Sequence, residues 1–303
     1  MNKEYHIPVL LKESVEGLNI QPNGIIVDLT FGGGGHSSEI LKKLGSGGRL
    51  LAFDQDKDTF KNKIEDSRFE LIYGNFNYLK NYLKYYKAPK VDAILADLGV
   101  SSHHFNAEER GFSYRYDSEL DMRMNREGQL TAKDVVNKYT KDQLLDVFWQ
   151  YGEVKNARKL VDTILLARAN KTIQTTFEFC DVITSCAKKH KEHKYFAQVF
   201  QAIRIEVNQE LEVLKNMLLQ TAKVLKPGGR LVVITYHSLE DRLVKNYIKK
   251  GKFFGEIEKD FYGNFSRPFV EVNRKIILPN EDEMEKNPRS RSAKLRIAER
   301  QED

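Results

Sequence analysis

Cysteine is scarce in this chain, with two residues in 303, Cys180 and Cys186. Two thiols cannot build a disulfide framework, and their surroundings lack the spacing of a metal pair. Long apolar runs are missing as well. The longest are strand-sized, such as Gly24-Ile25-Ile26-Val27 and Leu231-Val232-Val233-Ile234, far short of the roughly 20 residues that a membrane-spanning helix needs. The opening Met1-Asn2-Lys3-Glu4-Tyr5-His6 has no apolar signal core, so neither export nor a membrane is expected, and a reducing cytoplasm is the expected location. No internal repeat and no low-complexity linker interrupts the sequence.

What is present is globular composition: 41% hydrophobic and 30% charged residues, enough to bury a core of one large domain or two ordinary ones. The first 105 residues balance 13 Lys and Arg against 13 Asp and Glu, so the whole excess of +6 lies downstream. Such a bias suits selected surfaces that grip phosphates, although charge alone does not separate nucleic-acid binders from other basic proteins.

Four short apolar runs end in a polar residue or turn. Gly24–Leu29 carries Asp28, Arg49–Phe53 stops at Asp54, Phe69–Tyr73 closes on Gly74-Asn75-Phe76, and Val91–Ala96 stops at Asp97. Helix-length segments separate them. This alternation predicts an α/β fold with a parallel sheet covered on both faces and a ligand beyond the carboxyl ends of its strands. From residue 106 to 194 strand-like runs vanish and helical spacing takes over, predicting a helical insertion. The expected organisation is therefore residues 1–105 as the first part of the sheet domain, 106–194 as the insertion, and 195–303 as the second part with a basic tail. A stripe from Phe196 through Val199, Phe200, Ile203, Val207, Leu211 and Leu214 to Leu218 predicts one helix over Tyr195–Leu225 packed on the sheet. Lys226-Pro227-Gly228-Gly229 ends it, and Arg230–Tyr236 resumes the sheet. The tail after Pro279 gathers Arg289, Arg291, Lys294, Arg296 and Arg300.

Phe31-Gly32-Gly33-Gly34-Gly35-His36 follows the first strand and opens a helix. Glycines there bring a ligand against bare main chain. The loop lacks the Gly-Lys-Ser/Thr ending of an ATP-binding P-loop, and Ser37 and Ser38 stand where Gly-x-Gly-x-x-Gly needs its third glycine. Asp54 at the second strand's tip suits ribose hydroxyls, a role shared by NAD and S-adenosylmethionine sites. Phe76 is placed to cover an adenine, and Asp28 to hold the glycine turn or a ligand ammonium. Asp97, in Asp97-Leu98-Gly99-Val100-Ser101-Ser102, resembles the substrate-side motif of amino-group methyltransferases. An exocyclic amine on a base ring is a poor nucleophile, and N–H bonds to a carboxylate raise its electron density, leaving mainly alignment to be supplied. Methylation at a pyrimidine carbon would need a nucleophilic thiol, and Cys180 and Cys186 lie in the insertion as ordinary buried thiols.

The segments His6-Ile7-Pro8-Val9-Leu10-Leu11, Asp28–His36, Asp97–Ser102, Glu109-Arg110-Gly111-Phe112-Ser113, Leu120-Asp121-Met122-Arg123-Met124, His237-Ser238-Leu239-Glu240-Asp241-Arg242 and Asn287–Arg296 run through the whole chain. Together they resemble the RsmH (MraW) family. The resemblance implies a Rossmann-like SAM-dependent methyltransferase fold with an inserted all-helical domain for substrate recognition. It also implies N4-methylation of a cytosine in the decoding (P-site) region of small-subunit 16S rRNA. It carries cofactor contacts onto Gly34, Gly35, His36, Asp54, Phe76 and Asp97, and one more onto His104, where the family usually has glutamine. Asp97 is the expected catalytic residue, S-adenosylmethionine the cofactor, and no metal is expected. The expected partners are 16S rRNA and the small ribosomal subunit, with no membrane and with a homodimer left open. Arg110, Arg115, Arg123 and Arg126, interleaved with Phe112, Tyr114 and Tyr116, form an expected RNA surface, unless Asp117 and Asp121 pair with them as braces. His237 borders the cleft, and His190 and His193 lie in a solvated basic turn. Two other readings stand beside this one: an NAD-dependent oxidoreductase, and a non-catalytic RNA-binding ribosome-assembly protein.

Overall fold

Successive residues of a strand point to opposite faces of a sheet, so a strand that is apolar throughout must be covered twice. The computed structural model, which describes residues 8–99, 108–257, 259, 261–263 and 265–302, follows this rule. Strands β1 (Ile25–Asp28), β2 (Arg49–Asp54), β3 (Phe69–Tyr73), β4 (Val91–Asp97), β5 (Leu225–Thr235), β6 (Phe269–Glu271) and β7 (Lys294–Arg300) form one sheet in the order β3-β2-β1-β4-β5-β7-β6. The pairs from β3 to β5 are parallel, whereas β7 runs antiparallel to both β5 and β6. One face holds Val27, Leu51, Phe53, Ile94 and Val233 against α3 (Leu79–Tyr85), α9 (Glu210–Val224) and α10 (Ser238–Lys250). The other holds Ile26, Leu50, Leu95, Val232, Leu295 and Ile297 against α1 (Leu11–Gly17) and α2 (Gly35–Lys43). Each fully buried aliphatic side chain contributes about 1.5–3 kcal/mol.

The strand order reverses between β1 and β4, which makes their carboxyl ends the natural crevice of the sheet. The chain also folds back on itself here. Leu10 N–H donates to Glu283 Oε1 at 2.7 Å across 273 residues. A Cβ on Gly17 would press on Ile297 of β7, so α1 lies close over that strand.

The chain divides into two compact units, residues 1–99 with 211–303, and residues 100–210. Among the described residues, the second unit contains α4 (Ala132–Lys138), α5 (Lys141–Gln150), α6 (Ala157–Asn170), α7 (Thr176–Thr184) and α8 (Glu192–Asn208) around a core of its own. Reciprocal capping boxes at Thr131/Asp134, Thr140/Gln143 and Thr175/Glu178 start three of these helices. Cys180 and Cys186 are buried there as free thiols. Burial pushes the Cys180 thiol up to about 12, so it stays protonated and inert.

Two expectations change. The stripe over Tyr195–Leu225 is two helices, α8 and α9, parted at Gln209 with φ +51°. Val199, Phe200 and Ile203 belong to the second unit's core, while Leu214 and Leu218 belong to the sheet's. The boundary thus falls at 210/211 rather than 194/195, because a stripe shows which face is buried but not what covers it. The basic tail is likewise no loose end: Arg289 and Arg291 lie in a short 3-10 turn, and Lys294, Arg296 and Arg300 in β7, an interior strand of the sheet. Arg296 Nε donates to Asp241 Oδ1 at 2.8 Å, and Arg300 Nε to the Ala222 carbonyl at 2.7 Å. No helix among the described residues is long and apolar enough to cross a membrane.

Candidate active site

Gly34 and Gly35 stand at the start of α2, directly beyond β1. Gly34 has φ +78°, and a Cβ there would meet the Phe31 ring at 3.0 Å. At Gly35 a Cβ would overlap Pro8, which lies against the loop. Both positions therefore demand glycine. No side chain caps α2, so its first N–H groups receive no internal partner of that kind. Asp28 is buried and holds the turn, accepting from Thr30 N at 3.0 Å and Ser37 Oγ at 2.7 Å. That answers its alternatives in favour of the turn.

Asp54, at the end of β2, accepts from Gly32 N at 2.9 Å and from Asp56 N at 2.8 Å. Each carboxylate oxygen can accept more than one bond, so capacity for hydroxyls remains. Phe76, in the short 3-10 turn after β3, is half-buried against the sheet's core. Asn75 Nδ2 bonds Gln55 Oε1 at 2.7 Å and ties the ends of β3 and β2 together.

Asp97 ends β4. Its N–H donates to Thr30 Oγ1 at 2.7 Å, which joins the β4 and β1 tips. Tyr236, just beyond β5, donates its hydroxyl to Asp97 Oδ1 at 2.8 Å. His36 Nδ1 lies 3.9 Å from Oδ2, while His36 Nε2 is 3.2 Å from the Val9 carbonyl. The Asp97 side chain remains 19% exposed. Burial pushes its carboxyl up to about 6. The His36 and Tyr236 contacts oppose that rise, and the Asp28 and Glu240 charges add to it. Tyr236 is itself driven well above its usual range by burial and the Asp97 charge, so it remains an O–H donor.

The structure thus brings Gly34, Gly35, His36, Asp54 and Asp97 to one edge of the sheet, with Phe76 on the adjoining strand end. His104 lies outside the described residues. The sequence marks Tyr236 only as the end of a strand, and Pro8 and Val9 lie in a quoted segment to which it gives no site role. His237 is occupied as the cap of α10: its Nδ1 accepts from Glu240 N at 3.4 Å, and its Nε2 lies 3.1 Å from Glu240 Oε1. In the second unit, Arg110 is buried and donates to the Arg123 and Met124 carbonyls. Arg123 forms a forked pair with Asp121 at 2.7 Å on both arms. These two arginines are braces, whereas Arg115, Arg126 and Tyr116 are exposed.

A parallel sheet reversing between β1 and β4, an antiparallel β7 beside β5, and a bare glycine loop facing strand-end acids define a Rossmann-like, S-adenosylmethionine-dependent methyltransferase. The chain belongs to the MraW methylase family, whose sequence profile matches residues 3–301. It is 58% identical over 296 residues to the ribosomal RNA small subunit methyltransferase H of Bacteroides fragilis, covering 98% of this chain and 97% of that one. It is 59% identical over 295 residues to the enzyme of the same name from Christiangramia forsetii, covering 97% of each. Among solved structures it is similar to a methyltransferase homolog protein from Pyrococcus horikoshii, at 14% identity and a TM-score of 0.44, covering 98% of this chain and 68% of that one. The residues present fit the cofactor. Asp54 supplies an acceptor for ribose hydroxyls, α2 supplies uncapped N–H donors, and Gly33 is exposed with open space where a Cβ would project.

Proposed function

We propose that this chain methylates the exocyclic N4 of a cytosine in the decoding (P-site) region of small-subunit 16S rRNA. The curated relatives are named for small-subunit ribosomal RNA methylation, and the sequence blocks quoted above support the cytosine and its location. One observation carries the chemistry: the partly exposed Asp97 carboxylate at the tip of β4, beside the glycine loop.

Bound S-adenosylmethionine supplies an electrophilic methyl group. Gly34, Gly35, His36, Asp54 and Phe76 hold the cofactor in this reading, together with Asp97 and His104. Asp97 also accepts N–H bonds from the target amine, which enriches its nitrogen and aims it. The cytosine must leave its stack, because N4 cannot be approached in line inside a paired helix. The helical unit holds the flanking RNA through its exposed Arg115, Arg126 and Tyr116.

The test is transfer of a tritiated methyl group from S-adenosylmethionine to small subunits from cells lacking the enzyme, followed by nucleoside digestion. Label should appear in N4-methylcytidine, and Asp97→Asn should lower transfer by about 100-fold or more. Label in 5-methylcytidine or in another base would overturn the proposal.

A further inference from the structure

Asp97 is gripped from two sides by groups outside its own strand. Oδ1 receives the Tyr236 hydroxyl at 2.8 Å. Oδ2 faces His36 Nδ1 at 3.9 Å, and that imidazole turns its other nitrogen to the Val9 carbonyl. A carbonyl only accepts, so Nε2 carries a hydrogen toward Val9, and the Nδ1 contact favours the carboxylate through the charge of a protonated imidazole. Tyr236, at hydrogen-bond distance, is the neutral side chain among these contacts that donates to the carboxylate. Its ring is fixed in turn. Gly99, at φ +95°, passes so near that a Cβ would sit 3.2 Å from Tyr236 Cδ2, and Tyr236 N–H is bound to Glu240 Oε2 at 2.9 Å.

We propose that Tyr236 is a positioning residue that holds the Asp97 carboxylate in one orientation and keeps it ionised at the pH where the enzyme works. The proposal rests on the reading that Asp97 receives the target amine. A carboxylate that must accept an N–H bond fails once protonated, so turnover should have an acid limb set by Asp97. Among the described residues, the charged or titratable groups facing Asp97 are His36 and Asp28 from the β1 side and Tyr236 and Glu240 from the β5 side. His36 and Tyr236 favour the ionised form, whereas the two acids oppose it. Removing the hydroxyl raises the pH at which Asp97 takes up a proton.

The experiment compares wild type, Tyr236→Phe and Asp97→Asn. Turnover on small subunits is measured from pH 5.5 to 8.5, and S-adenosylhomocysteine affinity by calorimetry. For Tyr236→Phe the acid limb should move up by about 0.5–1 pH unit, with turnover near wild type at pH 8.5 and cofactor-product affinity within about twofold. Urea denaturation of the unliganded proteins gives a second readout. The stability gained on acidification should begin at a higher pH in Tyr236→Phe than in wild type. Coincident acid limbs in wild type and Tyr236→Phe, with Asp97→Asn inactive, would overturn the role of Tyr236. So would an equal loss of turnover at every pH together with loss of ligand binding, which marks a structural part. A fully active Asp97→Asn would instead overturn the reading of Asp97 itself.

Discussion

Asp97 is held at a cost to the fold. Its carboxyl is raised by burial to about 6 from the usual 3.8, so the folded protein binds that proton more tightly than the unfolded chain. This contribution to stability is complete below about pH 4 and is lost as pH rises through about 6. Asparagine at this position carries no charge. Its carbonyl oxygen can still accept from Tyr236, with its amide turned toward His36. Asp97→Asn should therefore be more stable than wild type at pH 7.5, by on the order of 1–2 kcal/mol, with the difference vanishing near pH 3.5. Urea titrations at the two pH values measure this, and a destabilised variant at pH 7.5 would refute it. The position of Asp97 at a strand tip was legible because an apolar run ends in it. Its clamp was not, since Tyr236 lies 139 residues away and nothing local marks the pairing.

At the scale of elements, β1 to β4 could be read because each is an apolar run closed by an acid or a turn. β7 escaped that rule. In Lys294-Leu295-Arg296-Ile297 the strand signal is alternation, with Leu295 and Ile297 buried and the cations between them half-exposed. The lysine and arginine side chains look like a tail only while their two-residue period is ignored. Leu295→Ala should cost about 2–4 kcal/mol in urea unfolding, as for any large core truncation. Arg291, exposed in the turn before β7, should behave differently. Arg291→Gln should leave stability within about 0.5 kcal/mol and lower the salt dependence of RNA binding. In the glycine loop, Gly34→Ala places a Cβ at positive φ against the Phe31 ring. It should weaken S-adenosylhomocysteine binding in calorimetry and cost about 1–2 kcal/mol of stability.

For the whole molecule, the sheet unit is assembled from two stretches of sequence, with the helical unit encoded between them. Periodicity located that interruption, but the end of it depended on which core α8 joins, a matter of tertiary packing. The sheet unit is also fastened across great sequence distance, by the Leu10–Glu283 bond and by Ile297 beneath Gly17. A nascent chain can pair β1 to β4 early and lay α1 against α2, yet the Glu283 bond and the Ile297 contact wait until β7 has been made. Until then that face of the sheet lacks the apolar cover that Leu295 and Ile297 supply, an invitation to chaperones and to self-association. Closure of the sheet unit thus waits for synthesis to pass β7, and a product stopped before that strand should be cleared rather than compete for subunits.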